Sequence, residues 1–402
     1  MAIIVQKFGG SSVADAARVM NVAQRVVDTY KDGNSVVVVV SAQGDTTDDL
    51  IEKANEINPS ASKREMDMLL SSGEQISIAL LAMAIEKLGS PVISLTGWQA
   101  GFKTNMNYSN ARIDKINTER IMSELDNRKI VIVAGFQGLN RCDDITTLGR
   151  GGSDTSAVAI ASAINADKCE IYTDVDGVYT TDPRIVKNAK KLEAITYDEM
   201  LELASLGANV LHNRSVEMAK KYNTCLEVKS SFERIDGTVV KEVVNMEKML
   251  IRGVTRDNDV ASISIVGLPD TPGIAFRVFA LMSKKNINVD VILQSIGREN
   301  KKDISFTVQK SHLDEALSIL ESEKENLGFE YLKHREDMSK VSIVGAGMVN
   351  NPGVAAKMFE ALYNAGINIH MISTSEIKVS VLINAQKAEK AVQVVHEAFF
   401  GE

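Results

Sequence analysis

Short apolar runs alternate with longer amphipathic stretches over the first 245 residues of the chain. The runs with strand character cover residues 3–8, 35–40, 91–95, 130–134 and 169–173, and helical spacing is found at 13–30, 65–88 and 155–164. A continuous β-branched run such as 35–40 is typical of a parallel strand that is covered on both faces. The alternation therefore predicts a mostly parallel sheet with helices on both faces, an α/β fold.

The pattern changes near residue 245, and the chain then repeats itself. Ser-Ile-Val-Gly at 264–267 returns at 342–345, and Pro-Gly at 272–273 returns at 352–353. Each copy is predicted as strand, Pro-Gly turn, helix, strand, hairpin, strand and helix. A period of about eighty residues is too long for a solenoid repeat. We therefore predict a large domain at residues 1–245 and two homologous small domains at 258–335 and 336–402. Residues 246–257 are able to supply a strand that completes the second small domain.

Composition and charge limit the class of protein. The 402 residues carry a net charge of −8 without a long Lys/Arg run, which argues against nucleic acid or an anionic membrane as the main partner. Apolar runs such as 36–40 are far too short to cross a membrane, and the N-terminus lacks the basic region of a secretion signal. Three widely spaced cysteines without a C-x-x-C pair argue against a disulfide framework or a zinc site. We expect a cytoplasmic protein.

The first motif with chemistry is Lys-Phe-Gly-Gly-Ser-Ser at 7–12, where the first predicted strand ends and a helix begins. Two glycines let the backbone approach an anion, and a helix N-terminus offers free N–H groups and a positive dipole end. Lys7 adds a full charge at the same place. On spacing alone, a simple tight turn with an exposed Lys7 explains the motif equally well.

Two further motifs place a charged residue beside glycines. The loop at 147–154, Thr-Leu-Gly-Arg-Gly-Gly-Ser-Asp, surrounds Arg150 with glycines, and Arg150 can bind a carboxylate with two hydrogen bonds. Ser153 and Asp154 are predicted at the N-cap of the following helix. Glu74 follows a glycine inside a predicted helix, where glycine costs about 1 kcal/mol relative to alanine. Taken singly, these features also fit a capped helix with an exposed arginine and a surface glutamate.

A long loop at 172–184 follows the last predicted strand. Its Asp-Val-Asp-Gly resembles part of a calcium loop, but the bidentate glutamate that an EF-hand needs downstream is missing. An ordinary long loop is the alternative, and we predict no protein-bound metal.

Together and in this order, the motifs resemble those of the aspartate kinases (aspartokinases). The resemblance includes 7–12, with Ser11 where the family usually has threonine, Ser41-Ala42 with Thr47, and the segments 69–74, 135–136, 148–154 and 173–184. It implies an αβα amino-acid kinase fold followed by two ferredoxin-like βαββαβ ACT domains. It also implies a homodimer or higher oligomer formed through the ACT domains.

The resemblance implies transfer of the γ-phosphoryl group of ATP, with Mg²⁺, to the β-carboxylate of L-aspartate, the first step towards lysine, threonine and methionine. A carboxylate is already ionised at pH 7, so this reaction needs no general base. By the family's pattern, the catalytic residues are Lys7 and Asp154, and the aspartate-binding residues are Thr47, Glu74, Arg150 and Ser153. The nucleotide-binding residues are Lys7, Phe8, Gly9, Gly10, Ser41, Thr173, Asp174, Tyr179, Arg184 and Asn209, where Asn209 replaces a lysine common in the family.

The repeat is expected to bind a feedback effector, lysine, threonine or both, at its helix N-termini and the facing strands. The expected residues are Asp270, Ile274, Ala275, Asn288, Val289, Asp290 and Gln294 in the first copy and Val354, Ala355, Asn368, Ile369, Ser375 and Glu376 in the second. Two alternatives stay open: another carboxylate, carbamate or nucleotide kinase of the same fold, and an amino-acid sensor without catalysis.

Overall fold

The computed structural model describes residues 2–207, 210–243, 250–295, 297, 300–348 and 351–401. The chain divides into two compact units. The first unit comprises Met1–Val178, Lys191–Ala204 and Asn209–Asn245, and the second comprises Tyr179–Lys190, Ser205–Ala208 and Met246–Glu402. A short segment of the predicted catalytic region, Tyr179–Lys190, therefore belongs to the same compact unit as the repeat.

The first unit alternates strands and helices. Its strands are β1 (Ile3–Phe8), β2 (Ser35–Val40), β3 (Val92–Leu95), β4 (Phe102–Thr104), β5 (Ile113–Ile116), β6 (Ile130–Ala134), β7 (Gln137–Leu139), β8 (Ile145–Thr147), β9 (Lys168–Thr173), β10 (Ala194–Thr196), β11 (Leu226–Ser230) and β12 (Thr238–Lys241). Its helices are α1 (Ala16–Lys31), α2 (Thr46–Ile57), α3 (Lys63–Lys87), α4 (Glu119–Asp126), α5 (Gly152–Ala163), α6 (Tyr197–Ser205, which ends at the unit boundary) and α7 (Asn213–Tyr222).

Eight of these strands form one sheet in the order β10-β12-β11-β9-β1-β2-β6-β3. Neighbouring strands are parallel except for β11 and β12. On one face, Phe8, Val38 and Ile132 pack in a core with α1 and α3. Side chains alternate along a strand, so Lys7 points to the other face, where α5 packs on β1, β2 and β9. The predicted α/β fold with helices on both faces is confirmed.

Helix α3 is 25 residues long and lies in the core of this unit. It packs against α1, β3 and β6. Among the residues that the structure describes, α3 alone has the length and composition of a membrane span, and half of its most apolar window is buried in the protein. The helix thus matches the core helix of a folded domain, and its buried face includes two acidic residues, Asp67 and Glu74.

Two helix boundaries differ from the sequence prediction for local reasons. Residues Gly10–Val13 form a 3-10 turn and Asp15 caps the next helix, so α1 begins at Ala16 rather than at residue 13. Helix α5 begins at Gly152 because Gly151 is its N-cap, in the left-handed region with φ 66°. The predicted N-cap placement of Ser153 and Asp154 is therefore wrong, since both lie in the first helical turn.

A small second sheet in the first unit, ordered β5-β4-β7-β8, was not predicted. Its strands have only three or four residues each, too short to show a period-two pattern. Strand β8 ends at Thr147, immediately before the glycine-rich loop of Arg150. The small sheet therefore supports the loop from which Arg150 projects.

The second unit contains the predicted repeat. Its strands are β13 (Gly253–Asp257), β14 (Ala261–Pro269), β15 (Ile292–Gln294), β16 (Lys301–Val308), β17 (Tyr331–Arg335), β18 (Met338–Val344), β19 (Met371–Thr374) and β20 (Lys378–Asn384). Its helices are α8 (Ile274–Lys284), α9 (Leu313–Ser322), α10 (Lys324–Leu327), α11 (Val354–Asn364) and α12 (Ala388–Phe400).

The two copies build equivalent antiparallel sheets, β15-β16-β14-β17 and β19-β20-β18-β13. A serine pair joins the same two strands in each copy: Ser264 Oγ to Ser305 Oγ at 2.8 Å, and Ser342 Oγ to Ser380 Oγ at 2.7 Å. The edge strands differ, because β17 comes from within the first copy whereas β13 precedes both copies. The second copy therefore takes its last strand from the segment 253–257.

Candidate functional site

Lys7, near the carboxyl end of β1, pairs with Asp154 in the first turn of α5. The Lys7 Nζ lies 2.7 Å from Asp154 Oδ1, and the two side chains are only 12% and 13% exposed. A Cβ placed on Gly9 would lie 3.4 Å from Lys7 Nζ, so the ammonium group lies over the glycine backbone. The pair thus holds a cation beside bare backbone at the sheet edge where ligands of α/β proteins bind.

The loops after β1 and β2 are joined to each other. The Gly44 N–H donates to the Gly10 carbonyl at 3.0 Å, and the Ser41 N–H donates to the Phe8 carbonyl at 3.1 Å. A Cβ on Gly10 would lie 2.7 Å from the Ala42 carbonyl oxygen, so this close approach requires glycine. The Phe8 ring is fully buried in the core with α1 and α3.

Glu74 is a buried carboxylate at this site, 3% exposed, on helix α3. Its Oε1 accepts a hydrogen bond from the Ala42 N–H at 3.2 Å, and its Oε2 has no partner among the described residues. Burial raises the pKa of Glu74 to about 7. Position 73 requires glycine although it lies inside a helix, because a Cβ placed there would lie 2.8 Å from Ala42 Cβ. A buried carboxyl with one unpartnered oxygen is suited to a cationic group of a ligand.

Arg150 lies in an exposed loop that opens into a cavity of about 410 Å³. The cavity is lined by Ser109, Asn110, Gly149, Arg150, His212 and Arg214. Gly151 needs to be glycine here, since its φ is 66° and a Cβ would lie 2.1 Å from the His212 ring. Burial lowers the pKa of His212 and that of Arg214. The cavity wall therefore carries two arginines, which suits an anionic group.

The remaining predicted aspartate-binding residues are close to these elements. Thr47 is half-buried in the first turn of α2, after the loop that touches Glu74. Ser153 is buried in the first turn of α5, next to Asp154. A Cβ on Gly135 would lie 2.7 Å from Ser153 Oγ, so that glycine lets β6 and α5 approach.

The predicted nucleotide residues divide between the two units. Thr173 is the last residue of β9, which pairs with β1, and Asp174 follows it. Thr173 Oγ1 donates to Asp174 Oδ1 at 2.9 Å. Tyr179 and Arg184 belong to the second unit, where Arg184 Nη2 lies 2.8 Å from Asp182 Oδ2. Asn209 lies outside the described residues.

The predicted effector residues of the first copy surround the start of α8. Asp270 Oδ1 lies 2.9 Å from Lys302 Nζ, and both line a cavity of about 390 Å³ together with Thr271, Pro272, Gly273, Ile274 and Ala275. Ile274 points into the core at 2% exposure, so it offers a ligand only its backbone. The polar side chains of Asn288, Asp290 and Gln294 are exposed, Val289 packs partly on the core, and Asp290 already pairs with Lys340.

In the second copy, the corresponding residues divide between the core and the surface. Val354 is 7% exposed and packs in the core, with Ala355 and Ile369 partly buried against it. Asn368, Ser375 and Glu376 are exposed. The predicted loop residues 349 and 350 lie outside the described residues.

Sequence reasoning missed two residues that fix the Arg150 loop. Asp67 is fully buried on α3 and accepts hydrogen bonds from Ser109 and Thr147, and Arg214 donates to the Leu148 carbonyl. The one available signal for Asp67 was its spacing of seven residues before Glu74, which puts both on one helix face. Within the described chain, no group of three or more His, Cys, Asp or Glu side chains is arranged to hold a metal ion.

Comparisons with known proteins extend these observations. The amino acid kinase family matches residues 2–230, and the ACT domain matches residues 263–323 and 341–399. The chain is 52% identical over 400 residues to the aspartokinase of Bacillus sp. (strain MGA3), covering 99% of this chain and 97% of that protein. It is 50% identical over 400 residues to aspartokinase 2 of Bacillus subtilis (strain 168), covering 99% and 98%.

Solved structures are similar over the same length. Escherichia coli aspartokinase III in complex with aspartate and ADP, in the R-state, is 26% identical with a TM-score of 0.84, covering 99% of this chain and 100% of that one. The T-state of the same enzyme, in complex with lysine and aspartate, is 26% identical with a TM-score of 0.77, covering 99% of each chain.

Proposed function

The chain belongs to the aspartokinase family, and on this premise we propose that it transfers the γ-phosphoryl group of ATP to the β-carboxylate of L-aspartate, giving 4-phospho-L-aspartate. The relatives at about half identity over the full length are aspartokinases, and one similar structure holds aspartate and ADP. An ATP-dependent kinase with a carboxylate acceptor also agrees with a site that pairs anion-binding and ammonium-binding groups.

The observation that carries the proposal is the buried, unpartnered oxygen of Glu74. This buried carboxyl has one hydrogen bond, from the Ala42 N–H, and its other oxygen is unpartnered among the described residues. A buried charge without a partner is costly, whereas the α-ammonium group of an amino acid would compensate it. We therefore assign Glu74 to the ammonium group of aspartate.

Arg150 provides the opposite charge for the same ligand. Arg150 lines a cavity together with Arg214, and a planar guanidinium matches a carboxylate with two hydrogen bonds. We assign Arg150 to the α-carboxylate of aspartate, with Thr47 and Ser153 as hydrogen-bonding neighbours. A site with separate groups for an ammonium and an α-carboxylate favours an α-amino acid over a carbamate or a nucleotide acceptor.

The phosphoryl group is assigned to the Lys7 end of the site. Gly9 leaves bare backbone beside Lys7, and Asp154 holds the Lys7 ammonium group over it. ATP with Mg²⁺ supplies the phosphoryl group and neutralises its charge. Lys7 would stabilise the charge that develops on the transferring phosphoryl group, and Asp154 keeps the Lys7 ammonium group in place. Asp154 offers one carboxylate, which fits a Mg²⁺ ion held mainly by phosphates.

We further propose that Phe8, Ser41, Thr173, Asp174, Tyr179, Arg184 and Asn209 belong to the nucleotide site. Thr173 and Asp174 support this because they lie at the carboxyl end of β9, a strand that pairs with β1. For Tyr179, Arg184 and Asn209 the support is the family's pattern alone.

The repeat is proposed to bind an amino-acid effector, lysine or threonine, and to pair with a second chain. The similar T-state structure contains lysine, and the cavity at Asp270 combines a carboxylate with the N-terminus of an eleven-residue helix, α8. A carboxylate suits the amino group of an effector and a helix N-terminus suits its carboxylate. We also propose a cytoplasmic location, since Cys142, Cys169 and Cys225 are all free thiols.

An acceptor panel tests the proposed function. Purified protein with MgATP and hydroxylamine is assayed with L-aspartate, L-glutamate and UMP, and acyl-hydroxamate and ADP are both measured. The proposal predicts hydroxamate and ADP with L-aspartate only. Turnover of UMP or L-glutamate in place of L-aspartate would assign the chain to another activity of the same fold.

A further inference from the structure

Asp67 is a buried acidic residue that the proposed reaction does not use. It is 0% exposed on helix α3 and accepts hydrogen bonds from the connection between β4 and β5 and from strand β8. The Ser109 N–H donates to its Oδ2 at 2.8 Å and to its Oδ1 at 3.1 Å. The Thr147 N–H donates to Oδ2 at 3.0 Å, and the Thr147 O–H donates to Oδ1 at 2.7 Å. Both carboxylate oxygens are therefore satisfied by the protein itself.

The two segments that Asp67 joins are the supports of the Arg150 loop. The Ala111 N–H donates to the Thr147 carbonyl at 2.9 Å, so the segments also bond to each other. Arg214 holds them from α7, where it donates to the Ala111 carbonyl at 2.9 Å and to the Leu148 carbonyl. Arg150 lies three residues after Thr147, in the loop that begins where β8 ends. The start of that loop is therefore fixed by an acidic group and a basic group.

Helix α3 carries the other end of the amino-acid site as well. Glu74 follows Asp67 by seven residues on the same buried face. At 1.5 Å per residue, the two lie about 10 Å apart along a continuous helix. One rigid element thus bears the proposed ammonium-binding group and the group that fixes the proposed carboxylate-binding loop.

We infer that Asp67 is a positioning residue for Arg150, and that α3 sets the distance between the two charged ends of the amino-acid site. The inference rests on the proposed roles of Glu74 and Arg150 and adds the element that holds their spacing. A guanidinium binds a carboxylate well only in a narrow geometry, so a displaced loop weakens binding of the substrate's α-carboxylate. Selectivity for an α-amino acid then depends on Asp67 although Asp67 does not touch the ligand.

Asp67→Asn is the sharpest variant, because it keeps the shape and removes one acceptor. The new NH₂ group faces donors at Ser109 or Thr147, so at least one of these hydrogen bonds is lost. We expect the KM for L-aspartate to rise about tenfold, while kcat and the KM for ATP stay within about twofold.

Glu199→Gln is the matched control for a buried carboxylate. Glu199 on α6 is 2% exposed and accepts from the Thr196 N–H at 3.2 Å and the Thr196 O–H at 2.9 Å. The substitution removes the same kind of hydrogen bond outside the Arg150 loop. It should lower the melting temperature without raising the KM for L-aspartate.

A second substrate separates positioning from general damage. The α-amide of L-aspartate retains the β-carboxylate and the ammonium group but offers Arg150 no α-carboxylate. The tenfold penalty of Asp67→Asn should disappear with this substrate. An equal penalty with both substrates would overturn the inference, as would an unchanged KM for L-aspartate in the folded variant.

Hydrogen exchange provides a readout that does not depend on activity. Amides of residues 147–152 should exchange faster in Asp67→Asn than in the parent. In Glu199→Gln the same amides should exchange at the parent's rate. A parent that fails to phosphorylate aspartate would contradict the proposed function, while the exchange result would still decide whether Asp67 holds the loop. If Asp67→Asn does not fold, a pair of variants at Thr147 replaces it: Thr147→Val removes the O–H that donates to Asp67, and Thr147→Ser retains an O–H at that position. We expect faster exchange of residues 147–152 and a higher KM for L-aspartate in Thr147→Val, and neither change in Thr147→Ser.

Discussion

Two lysine–aspartate pairs, one in each unit, share their construction. Lys7 Nζ lies 2.7 Å from Asp154 Oδ1 in the first unit, and Lys302 Nζ lies 2.9 Å from Asp270 Oδ1 in the second. Both lysines project from strands and are almost buried, with 12% and 10% exposure. Both aspartates are near the start of a helix whose N-cap is a left-handed glycine. The same local chemistry therefore occurs in the proposed catalytic site and in the proposed effector site.

The two pairs differ in how far the carboxylate is open to water. Asp154 is 13% exposed, whereas Asp270 is 46% exposed and lines a cavity. A pair shielded on both sides keeps its lysine in one place, which suits charge stabilisation during phosphoryl transfer. A pair with an open carboxylate is weakly held and exchanges partners with little loss. Burial of the aspartate, rather than the pairing itself, separates a fixed catalytic group from a group available to an effector.

Replacing each lysine in turn should produce the largest difference between the two pairs. Lys7→Ala should lower kcat by roughly a hundredfold or more, because it removes charge stabilisation made mainly in the transition state. Lys302→Ala should leave kcat within about twofold and change only the response to the effector. Steady-state kinetics with saturating ATP and aspartate measure both. A folded Lys7→Ala enzyme with near-parent kcat would contradict the catalytic role.

Arg150→Lys tests whether the first unit recognises a carboxylate by its planar geometry. Lysine keeps the charge but loses the two parallel hydrogen bonds. A lost charged hydrogen bond is worth about 1.5–3 kcal/mol, so the KM for aspartate should rise roughly tenfold to a hundredfold while the KM for ATP changes little. An effect confined to ATP would move Arg150 to the nucleotide.

The pH dependence of aspartate binding should reveal Glu74. Burial raises the pKa of Glu74 to about 7, so the carboxyl becomes neutral as the pH falls below that value. A neutral carboxyl does not pair with an ammonium group, and the KM for aspartate should therefore rise towards tenfold per pH unit below about pH 7. It should level off above pH 8. A flat profile between pH 6 and 8 would show that Glu74 does not pair with the substrate.

Asp270→Asn should produce the smallest effect, confined to regulation. The variant loses a charged partner for an effector's amino group, so inhibition by lysine or threonine should require several-fold more effector. The parent and the variant are titrated with each amino acid separately and together. A parent that responds to neither would remove the effector site, and the repeat would remain as a dimerisation module.

Sequence reasoning succeeded where long apolar runs dictated the structure. The strands Ile3–Phe8, Ser35–Val40 and Ile130–Ala134 have the predicted bounds, because a buried parallel strand reads as one continuous apolar run. The internal repeat was equally visible, since its two copies keep the same turns and the same helix starts. The order of motifs was enough to indicate the family.

Sequence reasoning failed where distant segments meet. Asp67 is satisfied by Ser109 and Thr147, and no local pattern links these positions. Position 73 of helix α3 likewise requires glycine because Ala42, from the loop after β2, packs against it. Strand β13 pairs with β18 although the entire first copy lies between them, and the sequence analysis could only allow for such a strand. These features depend on tertiary contacts between distant segments, and the hydrophobic periodicity along the chain does not reveal such contacts.

The most direct test of the central claim compares L-aspartate with succinate in the parent and in Glu74→Gln. Succinate has the carboxylates but no ammonium group. If the open oxygen of Glu74 binds that ammonium, the parent should prefer aspartate strongly, and Glu74→Gln should lower kcat/KM for aspartate by roughly a hundredfold while leaving succinate within about twofold. An equal loss with both substrates, or an undiminished preference for aspartate in Glu74→Gln, would contradict the assignment of Glu74 to the substrate's ammonium group.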